Sequence, residues 1–200
     1  MEHPSESPQS EDAISWSEVF GPYDARCATP EQRGAFIDRL YERAMDGRAF
    51  WLSAAGEEAM WTWSAAGTAF MQGNWIATVL CCHAVCERAL AGRFKPFWMN
   101  EADAPSRWQN MGLGRLLEEL EKRGGIDPDV AARLRRMSEY RKPFGHWKDF
   151  MHPTGLFARA RPLVQEDGVD SEEAVIRVIV DDATRAIEIT VEVLHGDVWS

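Results

Sequence analysis

Arg141 and His146 are the residues of this chain best equipped for chemistry. They stand in the run EYRKPFGHWK, separated by Lys142, Pro143, Phe144 and Gly145. An imidazole exchanges protons near neutral pH, and a guanidinium is a permanent, planar donor matched to phosphate oxygens. Together they can support phosphodiester chemistry without a metal. Their surroundings fit that use, because residues 131 to 150 hold six bases against two acids in a chain of net charge −10. Lys142 and Lys148 are suited to phosphate contacts, and Tyr140, Phe144 and Trp147 to stacking on a base. The same residues also suit a plainer role, in which Arg141 closes a helix and His146 packs beside it. Phe144 in particular suits a core or a dimer interface.

Two further polar residues bear on this site. His83 and Glu87 lie four apart in CCHAVCERAL, on one side of an otherwise apolar helix, and need partners if they are buried. Facing inward, Glu87 would orient Arg141 and His83 would line the cleft; facing outward, both would be solvated. The cluster Cys81, Cys82, His83 and Cys86 looks like a zinc site but is read as none. Tetrahedral sites draw ligands from separate short turns, and no second cysteine pair completes the sphere. No cofactor is expected. His152 reads as a loop histidine, and the acidic run from Glu166 to Glu173 as a solvated loop.

These side chains must be held by helices. Thr29, Pro30 and Gln32 form a capping-box start for a helix carrying Phe36, Ile37, Leu40, Tyr41 and Ala44. The Ala- and Trp-rich run from residue 49 to 70 is helical with a break near Gly56 or Gly67. Residues 71 to 94 form the most apolar helix, with Ile76, Val79, Leu80, Ala84 and Leu90 in its stripe, and should be the centre of the core. Residues 96 to 110 read as a loop, after which Leu113, Leu116, Leu117 and Leu120 mark a helix stopped by Gly124 and Gly125. Asp127 and Pro128 begin the helix that bears Val130, Leu134, Met137 and Arg141, and Pro143 should turn or kink the chain. A long closing helix follows from Ser171, although the β-branched residues from Val175 to Val180 also allow a short strand.

The expected architecture is all-α, a bundle of about four to six helices in one domain over residues 29–197. Residues 1–28, with six acids against one base and few aliphatics, read as an acidic N-terminal tail. Trp16, Val19 and Phe20 are its only docking candidates. No run approaches the roughly 18 apolar residues of a bilayer span, and the acidic start is unlike a signal peptide. Cytoplasmic location and reduced cysteines are the resulting expectations, with no membrane association.

The order of elements around Arg141 and His146 resembles the HEPN superfamily, over roughly residues 66–195. That family carries an arginine, four to six residues, and a histidine, and the R-x-P-F-x-H form seen here is found in several of its branches. Where the family most often has asparagine after the arginine, this chain has Lys142. The resemblance implies a HEPN-like bundle that forms a homodimer, so that Arg141 and His146 of both copies meet in one cleft. It implies a metal-independent endoribonuclease, in which the histidine acts on the ribose 2′-hydroxyl and leaves a 2′,3′-cyclic phosphate. Members serve as toxins or in defence. Others bind RNA, nucleotides or a partner without cleaving, among them components paired with a nucleotidyltransferase-type antitoxin, and this second reading stays open.

Overall fold

The computed structural model describes residues 29–44, 55–95, 104–145, 149 and 151–195. Among them every regular element is a helix: α1 Pro30–Ala44, α2 Glu57–Met71, α3 Trp75–Gly92, α4 Leu113–Lys122, α5 Pro128–Gly145, α6 Leu156–Glu166 and α7 Ser171–His195, with one 3-10 turn at Trp108–Asn110. The protein is all-α, and its seven described helices exceed the four to six expected. Residues 1–28, with Trp16, Val19 and Phe20, lie outside the described residues.

Local chemistry explains most of the boundaries. Thr29 and Gln32 form the reciprocal capping box, with the Thr29 N–H donating to Gln32 Oε1 at 3.0 Å and the Gln32 N–H to Thr29 Oγ1 at 3.2 Å. Asp127 Oδ1 accepts from the N–H groups of Asp129 (2.9 Å) and Val130 (3.1 Å), starting α5. Gly124 stops α4 at φ 63°, a conformation that a side chain would strain. α2 begins after Gly56 and runs through Gly67, so only the first of the two glycines interrupts helix.

α3 is the central helix, packed against α2, α4, α5 and α7, while α6 lies on α7 and α1 on α2 and α7. Its buried face differs from the expected stripe. Val79 and Leu90 are buried with Cys82, Val85 and Cys86, whereas Ile76 and Leu80 are exposed. α3 is apolar around most of its circumference, so composition alone does not choose the inward face. Ile76 instead borders an apolar groove of about 640 Å³ with Phe157 of α6 and Val175, Ile176 and Ile179 of α7. By length and composition the 18 residues of α3 are also apolar enough to cross a bilayer, contrary to expectation; more than half of them are buried among the neighbouring helices.

Three further differences concern the elements around the site. α5 does not turn at Pro143 but continues to Gly145. A proline this close to a helix end removes one late hydrogen bond and leaves a single short stretch to follow, so the interruption is tolerated. α7 is helical throughout, without the strand allowed near Val175 to Val180, because its face from Val180 through Ala183, Ala186, Ile187 and Val191 is buried at helical spacing. α6 is a helix that the sequence does not announce: Pro162 lies inside it, and of its residues only Ala160 is buried.

Candidate functional site

The site is built where the last turns of α5 cross α3. On α5, Met137 is buried, and Tyr140, Arg141 and Phe144 are half-buried at the following turns. Phe144 packs against the core. On α3, His83 is only 5% exposed, which decides in favour of the inward-facing reading. Nε2 of His83 and Nε of Arg141 are both buried without a hydrogen-bond partner. Burial, and secondarily the charge of Arg141, push the His83 imidazole down to about 4. His83 is therefore neutral near pH 7.

Arg141 is also tucked against its own helix end. A Cβ placed on Gly145 would lie 3.1 Å from Arg141 Nη1, so the glycine leaves room for the guanidinium. Glu87 does not orient it. The Glu87 carboxylate accepts from the Leu113 N–H at 2.9 Å, capping α4, and no ion pair joins it to Arg141. A free helix N-terminus offers unbonded N–H groups and a positive dipole end, so it competes well for a carboxylate in reach. Lys142 is held by Glu139, Nζ to Oε1 at 2.5 Å. His146, Trp147 and Lys148 lie outside the described residues.

Tyr140 is fixed from its other side. The Arg159 guanidinium sits 4.0 Å from the centre of its ring, and Arg159 Nη1 donates to Asp182 Oδ1 at 2.7 Å while Nη2 pairs with Oδ2. Asp182 is 5% exposed, and burial raises its carboxyl pKa against the opposing pull of Arg159. This chain of contacts ties α6, α7 and α5 together. Arg159 and Asp182 carry no signal in the sequence, because 23 residues separate them and only the packing of α6 on α7 brings them together.

Three of the bases in the basic segment meet carboxylates. Arg133 pairs with Glu192 at 2.6 Å, Arg135 with Glu121, and Lys142 with Glu139. Arg136 and Arg141 make no ion pair among the described residues. A cleft of about 290 Å³ opens between α5 and α7, with Arg136, Met137 and Tyr140 on one wall and Ala186, Glu188 and Ile189 on the other.

Cys82 and Cys86 are fully buried, Cys86 Sγ lies 3.4 Å from Thr190 Oγ1, and burial pushes the Cys86 thiol up to about 12. Among the described residues no group of three His, Cys, Asp or Glu side chains is placed to hold a metal ion. His152 is in the loop before α6, where its Nδ1 accepts from the Thr154 N–H at 3.3 Å and meets Thr154 Oγ1 at 2.9 Å. Compared with protein-family models, with curated proteins and with solved structures, the chain matches none.

Proposed function

We propose that this chain is a HEPN-like RNA-cleaving protein, with Arg141 as the phosphate-binding residue and His146 as the proton-transferring one. One observation carries the reading: Arg141 keeps a buried N–H without a partner beside a neutral imidazole, on a helix whose Arg133, Arg135 and Lys142 are each paired with a carboxylate. A buried donor left unbonded is costly, and a phosphate oxygen arriving there would satisfy it. His146 directly follows the last residue of α5, five positions after Arg141 in the chain. Acting as base, it would take the proton of the ribose 2′-hydroxyl, whose oxygen then attacks the phosphorus; the 5′-oxygen leaves, and the product carries a 2′,3′-cyclic phosphate. Arg141 would stabilise the charge that builds on the non-bridging oxygens. The reaction requires no metal. A homodimer that juxtaposes two such sites belongs to the same proposal.

A second reading, a non-catalytic module that binds RNA or a partner, is favoured by Lys142. Its charge is taken up by Glu139 and so is withdrawn from phosphate.

The deciding experiment incubates the purified protein with total RNA and with tRNA in EDTA, beside Arg141→Ala and His146→Ala. Cleavage by the wild type alone, with cyclic phosphate ends, is the expected result. Intact RNA in every tube, or equal cleavage by both variants, removes the catalytic assignment. Intact RNA that is nonetheless retained by the wild type and released by Arg141→Ala supports the second reading.

A further inference from the structure

We infer that the cleft between α5 and α7 is a binding site for a single guanine base, presented by the RNA strand whose phosphate Arg141 holds. The inference rests on the proposed reading for its RNA, but the cleft has its own chemistry. Its volume of about 290 Å³ is at the small end of the roughly 300–1,000 Å³ typical of ligand sites, room for one heterocycle and little more. The floor is apolar: Val79, Met137, Ala186 and Ile189 line it and all are buried. Such a floor suits the face of a planar ring.

The rim supplies the polar edge. Of the charged residues that line the cleft, Arg133 is paired with Glu192, Arg185 with Asp181 and Asp182 with Arg159. Arg136 and Glu188 remain, and neither makes an ion pair or a side-chain hydrogen bond among the described residues. A cation and an anion together on one apolar cleft select neither a simple anion nor a simple cation. They select a ligand with acceptors on one edge and donors on another. Guanine has this pattern: N1–H and N2–H can donate to the Glu188 carboxylate, while O6 and N7 can accept from the Arg136 guanidinium. Adenine lacks the N1–H donor, and uracil offers a single N–H.

Tyr140 completes the site as a stacking surface. One face of its ring is covered by Arg159, which Asp182 anchors in turn, so the ring is held rather than free to swing away. The cleft shares helices α3 and α5 with the Arg141 and His83 pair. Tyr140 immediately precedes Arg141, and Val79 on the floor is one helical turn before His83 on α3.

The test is calorimetric titration of the full chain in EDTA with GMP, AMP, CMP, UMP, guanosine and inorganic phosphate. GMP is expected to bind about tenfold more tightly than AMP, CMP or UMP, and Glu188→Gln to remove about that preference. Both Glu188 and Arg136 are exposed, so Glu188→Gln and Arg136→Gln test the rim without disturbing the core. GMP binding no tighter than UMP or inorganic phosphate, or unchanged in both variants, overturns the inference. Guanosine distinguishes the two proposals. If it binds with the same selectivity while RNA is never cleaved, the cleft stands and the nuclease reading falls; cleavage without guanosine selectivity has the opposite meaning.

Discussion

Arg141, near the end of α5, sets its positive charge against the buried imidazole of His83 on α3. Burial and that charge together hold the ring neutral far below its ordinary range, down to about 4. Each residue leaves one buried nitrogen unbonded, so the pair forms a polar spot in the packing between the two helices.

The pair has a consequence for acid stability. His83 titrates near 6.5 when unfolded and near 4 when folded, so between those values the unfolded chain binds more protons. The stability it contributes is complete above about pH 6.5 and is lost as pH falls towards 4, levelling off below. His195, also shifted downwards by burial, adds to the same slope. Urea unfolding between pH 7.5 and 4 is expected to show the loss. His83→Gln should remove a share on the order of 2–3 kcal/mol; an identical pH dependence in the variant would contradict the assignment.

Gly145→Ala separates the position of Arg141 from the stability of the helix. The new methyl would meet Arg141 Nη1 at 3.1 Å, and the guanidinium, as the end of a flexible side chain, can yield. Stability is expected to be unchanged or to rise by up to about 1 kcal/mol, because alanine is the better helix former. On the proposed function, RNA cleavage should fall about threefold to tenfold, since the displaced group would be the one that meets the phosphate. Thermal melting beside an initial-rate assay checks both halves.

Arg159→Ala would leave the Asp182 carboxylate buried without its partner and Tyr140 without its backing. A loss of about 3 kcal/mol is expected, the usual cost of breaking a buried pair from one side. Arg159→Leu combined with Asp182→Leu should lose clearly less than Asp182→Leu and Arg159→Leu summed, which a double-mutant cycle by chemical denaturation measures.

Glu87→Ala removes the cap from α4. It is expected to destabilise the protein by about 1 kcal/mol and to leave the pH dependence of His83 as it is, because the carboxylate serves the Leu113 N–H and not Arg141. Restoration of most of the stability by Glu87→Gln, measured in the same denaturation series, identifies capping as the cause.

Cys82 and Cys86 should resist alkylation in the folded protein. Both thiols are fully buried and shifted away from the reactive thiolate, whereas Cys81 is half-buried. Mass spectrometry after a timed iodoacetamide pulse is expected to find Cys81 modified before Cys82 and Cys86, which are labelled only on unfolding.

Much of the local structure was legible in the residues themselves. The capping box at Thr29 and Gln32, the Asp127–Pro128 start, the Leu-rich α4 with its glycine stop and the closing helix depend on short-range geometry, which a sequence carries directly. The failures share a different cause. Pro143 is a strong breaker in isolation, yet α5 runs through it, as α6 runs through Pro162, because packing on neighbouring helices offsets one missing hydrogen bond. β-branching around Val175 allowed a strand, and burial of one helical face of α7 overruled it.

What the sequence determined by itself was therefore the helical class, most helix starts and stops, and the identity of Arg141 as a residue worth following. Only the tertiary structure decided what Arg141 meets. Glu87 and His83 lie one turn apart on α3, but the N-terminus of α4 draws the carboxylate, while His83 is buried within the field of the Arg141 charge. The same packing placed Arg159 on Tyr140 and left Arg136 and Glu188 at the mouth of a cleft. Such relationships join residues on separate helices, and their energies depend on burial and on competing partners, neither of which is encoded in spacing along one chain.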